Sequence, residues 1–187
     1  MRMEAPTLRN VHARRLAAPI ERVRPWIESC WTGCERDCFP RDVISSWRRN
    51  PPGVDPAATI PGVTIVGHGP FRFRLRRWDG HAWTVDLVGG MAGWHGFDLA
   101  ADGDACRVTH TIELAATPST RLRWALIAPV HDWAVEALFD RLERALATGV
   151  VPARTDRPMP RLVALELALL RRRPRRAAVM ASDDPRC

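Results

Sequence analysis

Residues 92–115 constrain the fold most, because two alternating runs meet there at an Asp102-Gly103 pair. In the second run Cys106, Val108, His110, Ile112 and Leu114 alternate with Arg107, Thr109, Thr111 and Glu113. Successive strand side chains point to opposite faces, so the first set forms the inward face and carries His110 with it. On the preceding strand His95, Phe97 and Leu99 share a face. A tight turn centred on Asp102-Gly103 pairs Leu99 with Cys106, Phe97 with Val108 and His95 with His110, and the two apolar faces then coincide. The sheet is therefore expected to be antiparallel, with two histidines side by side on its buried face.

The rest of the chain extends this sheet and supplies its cover. Phe71-Arg72-Phe73-Arg74-Leu75-Arg76 alternates strictly, as a half-buried antiparallel strand requires. Its arginines, with Arg77, read as a solvated face. Further strands are expected near 8–17, 43–49 and 81–88. Ile20, Val23, Trp26, Ile27 and Cys30 recur at helical spacing, although Pro25 should kink that helix or delay its start. A second short helix or turn is expected over 31–42, and the proline-rich stretch 50–61 reads as loop. Residues 120–147 read as one long helix, with Ser119 as its N-cap and Gly149 and Pro152 as its stop signals. Trp124, Ile127, Ala128, His131, Ala134, Val135, Leu138, Leu142 and Ala145 share one face of it. Asp132, Glu136, Asp140 and Glu143 take the opposite face, which reads as solvent-facing.

Three segments resemble a known family. Leu16-Ala17-Ala18-Pro19-Ile20-Glu21-Arg22-Val23 is similar to the I-x-A-P-x-E-x-V strand-to-helix entry of the START-like (SRPBCC) superfamily. Gly103-Asp104-Ala105-Cys106-Arg107-Val108-Thr109 is similar to the G-G-T-R-V-T strand of its polyketide cyclase/dehydrase-like branch, with Cys106 where Thr is usual. The third is the terminal helix through Ala134–Glu143. Together they span about residues 8–148. The resemblance implies an α+β helix-grip fold, a curved antiparallel sheet wrapped around a long C-terminal helix with two short helices after the first strand. It also implies a hydrophobic small molecule held between sheet and helix. Some members cyclise or dehydrate polyketide-like substrates, and others only carry or sense a ligand.

On that fold Trp124, Ile127, Val135, Phe73, Phe97, Val108 and Ile112 are expected to line a mostly apolar pocket. His95, His110 and His131 converge on it, and imidazole transfers protons near neutral pH. Acid–base catalysis and simple ligand lining both remain open on this pattern. Asp86 is a candidate partner: a two-residue Gly89-Gly90 turn pairs Thr84 with His95 and brings Asp86 to their side. Against that placement, Trp83, Val85 and Leu87 form the more apolar face of the same strand. His131 and Asp132 are adjacent on a helix, point about 100° apart, and are not expected to share a site. No nucleotide loop or nucleophile motif occurs, so no cofactor is expected; three histidines suit a metal in ligand type, but without HExxH-type spacing no metal is expected. Cys30, Cys34 and Cys38 read as packed thiols.

The basic charge is concentrated at one end. All 28 basic residues are arginine, and the net charge is +7. Residues 1–150 hold 19 of these arginines against 17 acids, whereas 151–187 hold 9 against 4. A nearly neutral domain over 1–150 argues against nucleic-acid binding, which needs a basic face on the domain itself. No signal-like run and no apolar stretch of about 20 residues occurs, so a cytoplasmic location with reduced thiols is expected. The extension 151–187 holds a short apolar helix followed by an arginine cluster. Through residues 161–176 it can touch an anionic membrane surface or a protein, and it is expected to add little stability. The oligomeric state is not legible.

Overall fold

The computed structural model describes residues 6–32, 47–50, 62, 65–68, 71–152 and 156–172. Seven strands form one antiparallel sheet in the spatial order β1-β7-β6-β5-β4-β3-β2. They are β1 (Thr7–Leu16), β2 (Trp47–Asn50), β3 (Ile65–His68), β4 (Phe71–Trp78), β5 (Ala82–Leu87), β6 (Gly93–Asp102) and β7 (Ala105–Ala115). Helix α1 (Ile20–Thr32) follows β1, the long α2 (Pro118–Thr148) follows β7, and α3 (Arg161–Arg172) comes last. The curved sheet wraps around α2, which is the helix-grip α+β arrangement. Trp31 and Thr32 belong to α1 and Asn50 to β2, while the rest of the second short helix or turn and of the 50–61 loop expected from sequence lies outside the described residues, as do Cys34, Cys38 and the side chain of Cys30.

Local chemistry sets the element ends. Helix α1 starts at Ile20 and runs through Pro25, so the proline neither delays nor ends it. For α2 the N-cap is Thr117 rather than Ser119: the Thr117 hydroxyl accepts the backbone N–H of Thr120 at 3.1 Å, and Pro118 takes the first helical position. Gly149 ends α2 at φ 74°, a left-handed conformation that glycine adopts without strain, and donates its N–H to Ala145 O at 2.8 Å.

One hairpin register differs from that expected, and a second, left open by the sequence, is settled. Phe97 pairs with His110 and His95 with Ile112, because the tight turn is Gly103-Asp104 and Asp102 pairs with Ala105. That is a slip of two residues, which preserves the inward faces but turns the His95–His110 pair into diagonal neighbours. In the β5–β6 hairpin Val85, not Thr84, faces His95. The longer connection through Gly89 and Gly90 shifts the pairing by one, keeps Trp83 and Val85 inward and turns Asp86 outward.

The main core lies between the sheet and the helices. Leu16, Val23, Leu75, Val85, Val108, Leu138, Phe139 and Leu142 are fully buried in it. A second cluster joins Trp133, Ala134 and Ala137 of α2 to Val163 of α3. The Trp133 indole N–H donates to Pro158 O at 3.1 Å, and Arg157 binds Asp140 at 2.7 Å. The start of the extension therefore packs on α2. Truncation after Gly149 uncovers Trp133 and Ala137 and removes Val163. It should cost about 3 kcal/mol, lowering the thermal midpoint by roughly 6–12 °C in a melting experiment. An unchanged midpoint would show that this docking contributes nothing.

Candidate functional site

The inward faces of β1, β5, β6 and β7 bring a row of rings together beneath α2. His12 pairs with His110, His110 with Phe97, and Phe97 with Trp83, so these four side chains share the concave face. One register step along, Asn10, Ile112, His95 and Val85 form a parallel row. His131 descends from α2 onto both.

Ring contacts make a chain of four imidazoles. His95 and His110 approach within 3.4 Å, Nδ1 to Nε2, and their ring centres lie 5.6 Å apart. His131 lies 5.1 Å from His110 and 5.9 Å from His12, centre to centre. Aromatic side chains close the sides: Trp124 stands edge-on to His131 at 5.1 Å, Phe73 to His95 at 4.7 Å and Phe97 to His110 at 4.7 Å. The three histidines singled out in the sequence thus meet, and His12 joins them.

The electrostatics of the cluster favour uncharged imidazoles at its buried end. Burial first, then the neighbouring His131, His95 and His12, hold the His110 pKa well below its usual value. Burial likewise lowers His131, against the opposing pull of its hydrogen bond to Asp132. His110 Nδ1 is buried and has no hydrogen-bond partner among the described residues. Such an orphaned buried polar atom costs about 1–3 kcal/mol unless something satisfies it.

Asp86 does not join the site. It pairs with Arg74 and Trp94 on the outer face of the sheet, and its carboxylate lies 3.8 Å from Arg76. The candidate lining residues divide between two clusters. Phe73, Phe97, Val108 and Val135 are packed into the main core, while Trp124, Ile112 and Ile127 sit together with Met91 and Leu114. A shallow surface depression, too tight to admit a water molecule, lies beside them, lined in part by Arg24, Trp78, His81, Trp83 and Phe97. Trp83 and Phe97 stack at 5.9 Å and stand between this recess and the histidines.

The acidic face of α2, read from sequence as solvent-facing, is a seam against β1. Asn10 Nδ2 donates to Asp132 at 3.1 Å, and His12 reaches Asp132 at 3.1 Å and Glu136 at 2.9 Å. Arg14 then binds Glu136, Asp140 and Glu143 at 2.7–3.2 Å. Two strand residues rise about 6.6 Å and four helix residues about 6.0 Å, so the strand's alternate positions match the helix's i, i+4 positions step for step. Burial opposes the charge of Asp132, but the hydrogen bonds from His131 and His12 overcome it and lower its pKa. His131 Nδ1 lies 3.2 Å from Asp132 Oδ1. These adjacent residues do share a site, because Asn10 and His12 hold the carboxylate at the border of the two helix faces.

The architecture places the chain among proteins with the START-like helix-grip fold. The X-ray structure of norcoclaurine synthase from Thalictrum flavum matches with a TM-score of 0.55 at 13% identity, over 77% of this chain and 88% of that one. CalU16 from Micromonospora echinospora matches at 0.53 and 14% identity, over 90% of this chain and 95% of that one. Ara h 8.0201 matches at 0.51 and 11% identity, over 76% and 99% of the two chains. No protein-family model and no curated protein matches the chain. No helix among the described residues is long and apolar enough to cross a membrane.

Proposed function

We propose that the chain binds a small hydrophobic molecule, polyketide- or lipid-like and bearing a hydroxyl or carbonyl, between α2 and the sheet. The orphaned ring nitrogen of His110 carries this reading, since a buried polar atom among Phe97, His95 and His131 is what one polar group on an apolar ligand would satisfy. A norcoclaurine synthase structure holds dopamine and hydroxybenzaldehyde on the same fold, and both are small hydroxylated aromatics. On this proposal His131 moves a proton at that polar group, in a cyclisation or dehydration step, with His95 and His110 completing the polar wall. The alternative is a carrier or sensor without chemistry, favoured by the tight packing of Phe97 and Val108. A cytoplasmic setting accords with the buried free thiol of Cys106.

Helix α3 supports a contact with a membrane or protein as an accessory role. Leu162 and Leu165 are exposed on it while Val163 faces α2.

Binding is tested at Trp124, whose indole edge meets His131 and whose side chain packs on Ile112 and Met91. Trp124→Ala should weaken a hydrophobic ligand by about 10–100-fold in a fluorescence or calorimetric titration, from lost apolar contact alone. Equal affinity in the variant would place the ligand elsewhere.

A further inference from the structure

We propose that His12, His131 and Asp132 form a three-ligand site for a divalent transition metal, zinc above all, that ties edge strand β1 to helix α2. Each residue offers one ligand atom, and the three atoms lie within 4.8 Å of one another. His12 Nε2 is 3.1 Å and His131 Nδ1 is 3.2 Å from the same carboxylate oxygen, Asp132 Oδ1. Bonds of about 2.05 Å to a tetrahedral zinc place neighbouring ligands about 3.3 Å apart, so both measured edges need to open only slightly. Two imidazoles and a carboxylate are also the donor set that zinc prefers over magnesium or calcium.

The surroundings are those of a metal site. His12 uses its other nitrogen, Nδ1, on Glu136 at 2.9 Å, and Glu136 is itself held by Arg14 at 2.7 Å. A carboxylate behind a liganding imidazole fixes its tautomer and directs the opposite nitrogen to the metal. The seam contains four carboxylates, Asp132, Glu136, Asp140 and Glu143, against the guanidiniums of Arg14 and Arg157, leaving it an excess of negative charge for a cation to neutralise. Asp132 is half-exposed, with 43% of its side chain open, whereas His12 and His131 are mostly covered. The fourth position therefore opens toward solvent, as in zinc sites that keep a water.

Metal on His131 Nδ1 would leave that ring's proton on Nε2. The residue would then offer the ligand a hydrogen-bond donor instead of a free base. The site stands on geometry independent of the organic ligand, so its test requires none.

The test uses the full chain without an affinity tag, stripped by a chelator and titrated with zinc and, separately, cobalt(II). One equivalent of zinc should bind and raise the thermal midpoint saturably. Cobalt should develop a visible tetrahedral ligand-field band without a sulfur-to-cobalt charge-transfer band. His12→Gln and Asp132→Asn should each weaken zinc by at least about 100-fold, and Glu136→Gln by about 10-fold. Imidazole NMR signals of His12 and His131 should shift in the wild-type chain, a readout that does not depend on the variants folding well. Absence of saturable binding, cobalt bound through sulfur, or zinc affinity unchanged in His12→Gln would overturn the site.

Discussion

Gly96→Ala should destabilise the domain by more than about 3 kcal/mol and leave much of it unfolded near 37 °C. Gly96 lies in β6, opposite Thr84 on one side and Thr111 on the other. A Cβ there would stand 2.6 Å from Thr84 Cα and closer still to the Trp83 carbonyl oxygen. Those atoms are backbone in the middle of the sheet, so no side chain can swing aside to make room. Relief requires β5 and β6 to separate, which breaks their hydrogen bonds beneath the fully packed Val85 and Phe97. Chemical denaturation of the purified variant measures the loss. A loss under about 1 kcal/mol would mean that β5 and β6 are not in this register.

His131→Phe should leave ligand affinity within a few-fold of wild type and, if His131 transfers the proton, lower turnover by about 10²–10⁴-fold. The phenyl ring keeps the volume that packs against Trp124 and His110, whose ring centres are each 5.1 Å away. Asp132 loses one donor but retains Asn10 and His12. Affinity and rate are thereby separated, with product formation from a polyketide-like substrate followed by mass spectrometry. Unchanged turnover would assign His131 to lining the site and favour the carrier reading. A parallel collapse of affinity and melting temperature would mark a structural role instead.

Much of the fold is written in short-range patterns. The period-two alternation of 106–114 survives into β7 intact, because a register slip of two preserves every inward face. The same slip changed the geometry of the site. Whether Gly103 follows or opens the turn is decided by backbone torsions that an Asp-Gly pair leaves free, and the answer moved His95 from opposite His110 to its diagonal. The side taken by Asp86 is open in the sequence because it turns on the β5–β6 connection, where one additional residue in the loop reverses the face.

The role of His12 is not legible in the sequence for a different reason. Asn10, His12 and Arg14 alternate along β1, and Asp132, Glu136, Asp140 and Glu143 recur at helical spacing, but their partnership links residues more than 100 positions apart. Taken alone, each stripe reads as a wet surface. Only their matched rises, one polar strand residue per helical turn, signal that they face each other. The docking of Val163 on Trp133 is hidden similarly, since a mostly apolar ten-residue segment has the same composition whether it packs on the domain or projects from it.

A small hydrophobic ligand is expected to lodge against the His95–His110–His131 cluster. Imidazole and indole NMR spectra of the full chain, recorded against a panel of hydroxylated aromatics, polyketide-like compounds and fatty acids, test it most directly. At least one compound should shift the ring signals of His110 and His131 together with the Trp124 indole, saturably and at a common affinity. Shifts confined to α3 around Leu162 and Leu165, or no shift from any compound, would contradict it.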